Sequence, residues 1–145
     1  MQDQTPSKNA LVIQEPELIC VLIDAIWTLK FDTDPVDGYE FASSPLVAEV
    51  VNRACDCLIA LYREQGLNAS ANDLIKRRKL HDERYKGSFE LEALPSHIRL
   101  IQKHWDAWSE KQRMDHLRVF LTPTVVTDAE LLTLLASLTE NDPTV

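Results

Sequence analysis

The chain has few of the residues that build tight turns and covalent cross-links. Only three of its 145 residues are glycine and only three are cysteine. A phosphate-binding loop or a dinucleotide-binding turn needs closely spaced glycines, so Gly38, Gly66 and Gly87 cannot form either one. An odd number of cysteines predicts no disulfide framework and favours a reducing, cytoplasmic location. The sequence therefore predicts no bound cofactor and no cross-linked scaffold.

Long apolar runs are also missing. The most apolar stretch, residues 18–29, includes Asp24 and is shorter than the roughly 20 residues that span a bilayer. The first nine residues lack the basic region and apolar core of a secretory signal. We therefore expect no membrane association.

Positive charge is scarce and unevenly placed. Against 23 acidic residues stand 15 Lys and Arg, which gives a net charge of −8. The net charge is −7 over residues 1–60, +3 over 61–118 and −4 over 119–145. The overall charge opposes loose binding to nucleic acid or anionic membranes, because the field of the protein repels polyanions. The middle of the chain can still present a local basic surface.

Apolar residues recur at intervals of three and four, which predicts helices. The expected fold is all-α, a compact bundle of five to six helices in one domain over residues 15–139. Residues 1–14 are expected to form a flexible lead-in and residues 140–145 a frayed tail. The predicted helices cover residues 16–31, 45–65, 70–85, 96–121 and 127–138. The fourth of these is either one helix or two that divide near Ser109.

Several helix ends have recognisable signals. Ser44 is a candidate N-cap because Pro45 follows it, and Gly66 is a candidate helix stop. Ser70 and Asp73 resemble a capping pair, and Thr127 with Glu130 forms a capping-box pattern.

The first helix is apolar nearly all the way round. Such a helix either lies at the centre of a bundle or is buried at a subunit interface. A small bundle has difficulty burying it alone, so the sequence predicts a homodimer.

Candidate metal sites are incomplete. The adjacent His81 and Asp82 resemble the pair of the HD-family phosphohydrolases, but no histidine precedes position 81 to complete the ligand set. His97, His104 and His116 are too widely spaced on a continuous helix to share a metal, and we expect them at the surface or its boundary. A metal-dependent hydrolase is therefore the third-ranked hypothesis.

Two further patterns resemble metal sites without matching them. Cys55 and Cys57 point about 200° apart on a helix, so their thiolates cannot chelate one ion. The acidic residues of 32–38 resemble a calcium loop, but the third aspartate and the glycine come one position late. The sequence therefore predicts neither metal-binding nor catalytic residues.

The most informative motif is Lys76-Arg77-Arg78-Lys79, with Arg84 and Lys86 one to two turns further on. After the helix over 45–65 and a short connection, this segment can be the second helix of a helix-turn-helix, which would lie in a DNA groove. Alternatively, i,i+4 pairs of Asp73 with Arg77 and of Lys79 with Glu83 make it an ordinary exposed helix.

Tryptophan completes the set of candidate contacts. Trp27 is expected in the core, as are Trp105 and Trp108, which lie three positions apart on one face. Tryptophan is nevertheless enriched at interfaces, so one of the three is a candidate anchor.

By elimination, the sequence predicts a non-enzymatic interaction or regulatory protein that binds a macromolecular partner, with a protein partner expected. The alternative is a DNA-binding regulator that uses the basic helix over 73–86. The predicted partner-binding residues are Lys76, Arg77, Lys79, Arg84, Lys86, Trp105 and Trp108.

Overall fold

The computed structural model describes residues 9–31, 40–79 and 89–140. Seven helices have their bounds within these residues, a short helical segment covers 40–42, and none of these residues forms a β-strand. The helices are α1 (Pro16–Phe31), α2 (Pro45–Glu64), α3 (Asn68–Arg77), α4 (Phe89–Leu100), α5 (Gln102–Ala107), α6 (Glu110–Leu121) and α7 (Asp128–Glu140). The predicted all-α class is confirmed, whereas the predicted count of five to six helices is too low.

The first two helices lie where the sequence predicts them. At the start of α2, the Ser44 Oγ accepts a hydrogen bond from the Val47 N–H at 3.3 Å, and Pro45 occupies the first turn. Helix α2 ends at Glu64, and Gly66 follows in the left-handed region with a φ of 73°. That conformation favours glycine, because a Cβ atom would make it costly.

The third helix begins earlier than its capping pattern predicts. It starts at Asn68 after a three-residue connection, and no side chain caps its first turn. Ser70 therefore lies inside the helix, and the prediction of a start at Ser70 is wrong. The connection itself sets the start, because the Leu67 N–H donates to the Tyr62 carbonyl and the Leu67 carbonyl accepts from Ala71.

The predicted helix over 96–121 is three helices. Helix α4 begins at Phe89 and continues through Pro95, although proline lacks the N–H that a helix interior uses. The chain then breaks at Ile101 and again at Trp108, whose backbone is extended. Ser109 caps α6 in a complete capping box with Gln112, so the division near Ser109 is confirmed.

A cis peptide joins Thr122 to Pro123 after α6. The capping box of Thr127 with Glu130 then starts α7 and is confirmed, since each residue's backbone N–H donates to the other's side chain.

One buried hydrophobic cluster takes side chains from all seven helices. Its most buried members include Val51, Cys55, Leu117, Leu121 and Leu131. Within the described ranges, none of the helices is long and apolar enough to cross a membrane.

Candidate functional site

The arginines of the basic motif face the protein itself. The Arg77 guanidinium lies 3.0 Å from the Asp24 carboxylate of α1 and stacks 4.1 Å above the Trp27 ring. Both contacts hold α3 against α1. Arg77, a predicted partner-binding residue, therefore has partners within the protein.

Arg78 also bonds within the protein, through both its side chain and its backbone. Its guanidinium donates to Asp56 and Asn52 of α2 at 3.0 and 2.9 Å, and its Nε donates to the Pro123 carbonyl. Its backbone carbonyl also accepts from the Val125 N–H at 2.6 Å. Arg78 thus joins α2, α3 and the segment after α6.

The two lysines of the motif are placed differently. The side chains of Lys76 and Lys79 are exposed, although the backbone of Lys79 forms an isolated parallel bridge with Val125. Arg84, Lys86 and the His81–Asp82 pair lie outside the described residues. Helix α3 ends at Arg77, and residues 78 and 79 are not helical, so the prediction of one helix over 70–85 is wrong. A basic surface among the described residues of this motif would therefore depend on Lys76, inside α3, and Lys79, just after it.

The two tryptophans predicted as partner contacts differ in exposure. Trp105 is buried, and Arg113 contacts it twice. The Arg113 Cζ lies 5.1 Å from the centre of the Trp105 ring, and the Arg113 Nε donates a hydrogen bond to the Trp105 carbonyl. Trp108 is half-buried and its ring lies 5.0 Å from that of His116. Trp105 is therefore part of the core, and Trp108 keeps some surface.

A pair of histidines lies beside Trp108, and sequence reasoning did not predict it. The Nε2 atoms of His97 and His116 are 2.8 Å apart, with the two rings inclined by only 13°. One ring must donate and the other accept, so the two histidines carry different tautomers when both are neutral. The breaks at Ile101 and Trp108 turn α6 back toward α4, and this reversal brings the pair together.

The surroundings of this pair favour neutral rings. Burial, then the neighbouring His116 and the Lys30 charge, lower the pKa of His97 to about 4. Burial also lowers the pKa of His116 below its usual range. The prediction that these are surface or boundary histidines is wrong for His97, which is only 2% exposed.

Lys30 is a second buried polar group that the sequence did not reveal. It is 3% exposed, and its Nζ donates to the Val119 and Thr122 carbonyls at 2.8 and 2.5 Å. These carbonyls lie at the C-terminal end of α6, where a cation compensates the helix dipole. Lys30 therefore connects α1 to the end of α6.

A cavity of about 190 Å³ lies between α1, α2 and α3. Its apolar lining includes Ile23, Leu58 and Leu74. At its edge the Cys20 Sγ and the Tyr62 hydroxyl are 3.2 Å apart. This hydrogen bond and burial raise the pKa of Tyr62 to about 12, so the phenol stays protonated.

The remaining cysteines of the Cys-x-Cys pattern diverge. Cys55 is buried in the core and Cys57 is exposed. Burial raises the pKa of the Cys55 thiol to about 11, which keeps it a thiol rather than a metal-binding thiolate. No group of three or more possible metal ligands occurs among the residues that the structure describes. The acidic segment over 32–38 lies outside them.

Helix α1 has an exposed apolar surface. One face of the helix is buried through Ile19, Ile23, Ile26, Trp27 and Phe31. The opposite side, here named the outer face of α1, consists of Leu18, Val21, Leu22, Ala25 and Leu29. Leu18, Val21 and Leu29 are 54%, 66% and 45% exposed, Ala25 is exposed, and Leu22 is partly buried.

The outer face bears on the two interpretations of the apolar first helix. The sequence predicts either a central helix of the bundle or a helix that is buried at a subunit interface. The described residues leave the outer face of α1 exposed, so among them α1 is not enclosed on all sides. The alternative, a helix that contacts another subunit, remains a prediction.

Comparison with known proteins adds no relative: no family model, no curated protein and no solved structure matches this chain.

Proposed function

We propose that this chain is a non-enzymatic helical interaction protein that binds another protein through the outer face of α1. The observation that supports this proposal is the exposure of Leu18, Val21 and Leu29 on one helix face. Single exposed apolar residues are common, but a continuous stripe marks a contact surface more often.

The energy available from this face is large enough to matter. Complete burial of a Val or Leu side chain stabilises by about 1.5–3 kcal/mol, so a half-exposed one contributes roughly 1 kcal/mol. An interface made of such side chains from both partners gains several kcal/mol and must overcome an association cost of about 4–15 kcal/mol. The expected complex is therefore weak to moderate in affinity unless other contacts add to it.

Two further groups supplement this proposal. The exposed Lys76 and Lys79 offer positive charge to an acidic partner surface, and the half-buried Trp108 offers an apolar contact. No structural observation favours the alternative of a DNA-binding helix. Arg77 and Arg78 already have internal partners, and the net charge of −8 repels a polyanion.

Affinity capture with cross-linking from the native host tests the proposal. A tagged wild-type chain is expected to retain a protein that Val21→Lys loses, because the substitution places a charge on the outer face at Val21, which is 66% exposed. Leu46→Lys is the matched control, since Leu46 is 73% exposed on α2. Equal capture by all three chains, or no capture by the wild type together with a strictly monomeric chain, contradicts the proposal.

A further inference from the structure

The two histidines beside Trp108 meet nitrogen to nitrogen. Their Nε2 atoms are 2.8 Å apart and their ring centroids are 5.1 Å apart. That centroid separation is the one expected when both centroids and both nitrogens lie on one line, and the 13° inclination puts the two rings close to one plane. The hydrogen bond is therefore straight, with room for a single N–H between the two nitrogens.

This hydrogen bond joins two helices at a buried point. His97 of α4 is 2% exposed, and the centre of the Phe120 ring of α6 lies 4.3 Å from the centre of its imidazole. His116 of α6 is partly buried, and its ring lies 5.0 Å from that of Trp108 at the end of α5. A change at this contact therefore acts on the packing of α4 against α6 and on the environment of Trp108.

The pair can hold one added proton without breaking, but not two. When both rings are neutral, the donor ring has a bare Nδ1 and the acceptor ring carries its proton on Nδ1. A first added proton goes to the bare Nδ1 and leaves the bond between the two Nε2 atoms in place, now with a charged donor. A second can go only to the accepting Nε2, which sets two N–H groups against each other across 2.8 Å. The contact must then open.

The charged groups nearest the pair along α1 and α6 are cations. Lys30 of α1 is close enough for its charge to help lower the pKa of His97, after burial and His116. On α6, Arg113 lies one turn before His116 and places its Cζ 5.1 Å from the Trp105 ring. Burial and the Lys30 charge therefore both oppose the addition of protons to the pair.

Other titratable groups on the adjoining helices lie at the surface. His104 of α5 is exposed, with its ring 6.2 Å from that of Trp108. Asp115 of α6 and Asp128 of α7 are exposed carboxylates that both pair with Arg118. These two carboxylates thus have a cation of their own.

We propose that the His97–His116 contact, here named the histidine switch, holds α4 to α6 and opens when the pair takes its second proton. Opening removes the His116 ring from Trp108, so the half-buried Trp108 becomes more exposed. The pKa of His97 is lowered to about 4, so the switch is closed at neutral pH and opens as the pH falls toward that value. The switch is separate from the outer face of α1 and does not depend on it.

Nitrogen-15 NMR of the histidine side chains in the purified full chain tests the proton count. At about pH 7.5, His97 and His116 are expected to show opposite tautomers, one protonated at Nε2 and the other at Nδ1. As the pH falls toward 4, the pair is expected to gain its two protons in separate steps, because the two rings interact strongly. Both observations use the wild type alone, so they do not depend on the folding of a variant.

The indole N–H resonance of Trp108 reports the opening in the same titration. It is expected to shift with the second protonation step and not with the first. His116→Gln is expected to lose this shift, because an amide both donates and accepts, so its bond to His97 survives protonation of His97. His104→Gln is the matched control and is expected to keep the shift, since His104 also adjoins Trp108 but is exposed. Circular dichroism is expected to show that the helices persist.

Four results overturn the inference. Identical tautomers of His97 and His116 at neutral pH would show that the hydrogen bond does not form. A Trp108 shift that follows the first proton, or that His116→Gln leaves unchanged, would show that the second proton does not open the contact. Loss of helix in the same step would show unfolding of the whole chain instead of separation of α4 from α6. None of these results bears on capture of a partner by the outer face of α1, so the proposed function is tested separately.

Discussion

At the residue scale, the buried polar groups connect helices that are far apart in sequence. Lys30 joins α1 to the end of α6, and the His97–His116 contact joins α4 to α6. Neither arrangement has a local sequence signal, because Lys30 lies in an otherwise apolar helix and the histidines are 19 residues apart. Both depend on the breaks that fold α6 back onto the bundle.

The histidine pair makes stability depend on pH. The pKa of His97 falls from 6.5 in the unfolded chain to about 4 in the folded chain. The unfolded state therefore binds the proton first, so this contribution is complete above pH 6.5 and is lost as the pH falls toward 4. Between pH 7 and 5 the wild type is expected to lose about 2 kcal/mol more unfolding free energy than His97→Gln.

Urea unfolding of both chains at the two pH values measures that difference. Carboxylates titrate alike in the two proteins, so the variant removes their contribution from the comparison. Identical losses in both chains would show that His97 is not held neutral by the fold.

Lys30 makes a separate prediction about stability. Lys30→Met keeps most of the side-chain volume but removes the donor to the Val119 and Thr122 carbonyls. Loss of a donor to buried carbonyls costs about 1–3 kcal/mol, so we expect destabilisation of about 2 kcal/mol in urea unfolding. The exposed Lys76→Met is the control and is expected to change stability by less than about 0.5 kcal/mol. Equal effects of the two substitutions contradict the capping role of Lys30.

At the element scale, helix starts with side-chain caps were predictable and other boundaries were not. Ser44, Ser109 and Thr127 all cap where the sequence places them, because capping depends on residues within one turn. The start of α4 was missed because Pro95 normally marks a boundary and here lies inside the helix. The break at Ile101 has no glycine, proline or capping residue to announce it.

The cap at Ser109 can be tested directly. Ser109→Ala removes the acceptor for the Gln112 N–H and is expected to destabilise the protein by about 1 kcal/mol. Ser137→Ala, at an exposed position inside α7, is the control and is expected to be neutral or slightly stabilising, since alanine favours helix interiors. Thermal unfolding of the two variants measures the difference. The cap contributes nothing if both variants melt at the wild-type temperature.

At the scale of the whole molecule, part of the uneven charge is matched internally. Arginines of the basic middle pair with carboxylates of the acidic flanks: Arg77 with Asp24, Arg78 with Asp56 and Arg118 with Asp128. Segregated charge therefore serves partly to join the segments of the chain. It is weaker support for an external partner than the sequence alone suggested.

The apolar character of α1, unlike the uneven charge, remains support for an external partner once the structure is known. Sequence reasoning could identify α1 as too apolar for one small bundle, because the pattern covers nearly the whole circumference. Only the tertiary packing shows which side is left exposed, and it leaves the outer face uncovered by the described residues. The protein–protein proposal therefore depends on this face rather than on the basic motif.

The most direct measurement is affinity capture with cross-linking from the native host, with tagged wild type, Val21→Lys and Leu46→Lys compared side by side. The account predicts that the wild type and Leu46→Lys retain a protein that Val21→Lys loses, because Val21 is 66% exposed on the outer face of α1 and Leu46 lies on α2. Equal capture by all three chains would contradict it.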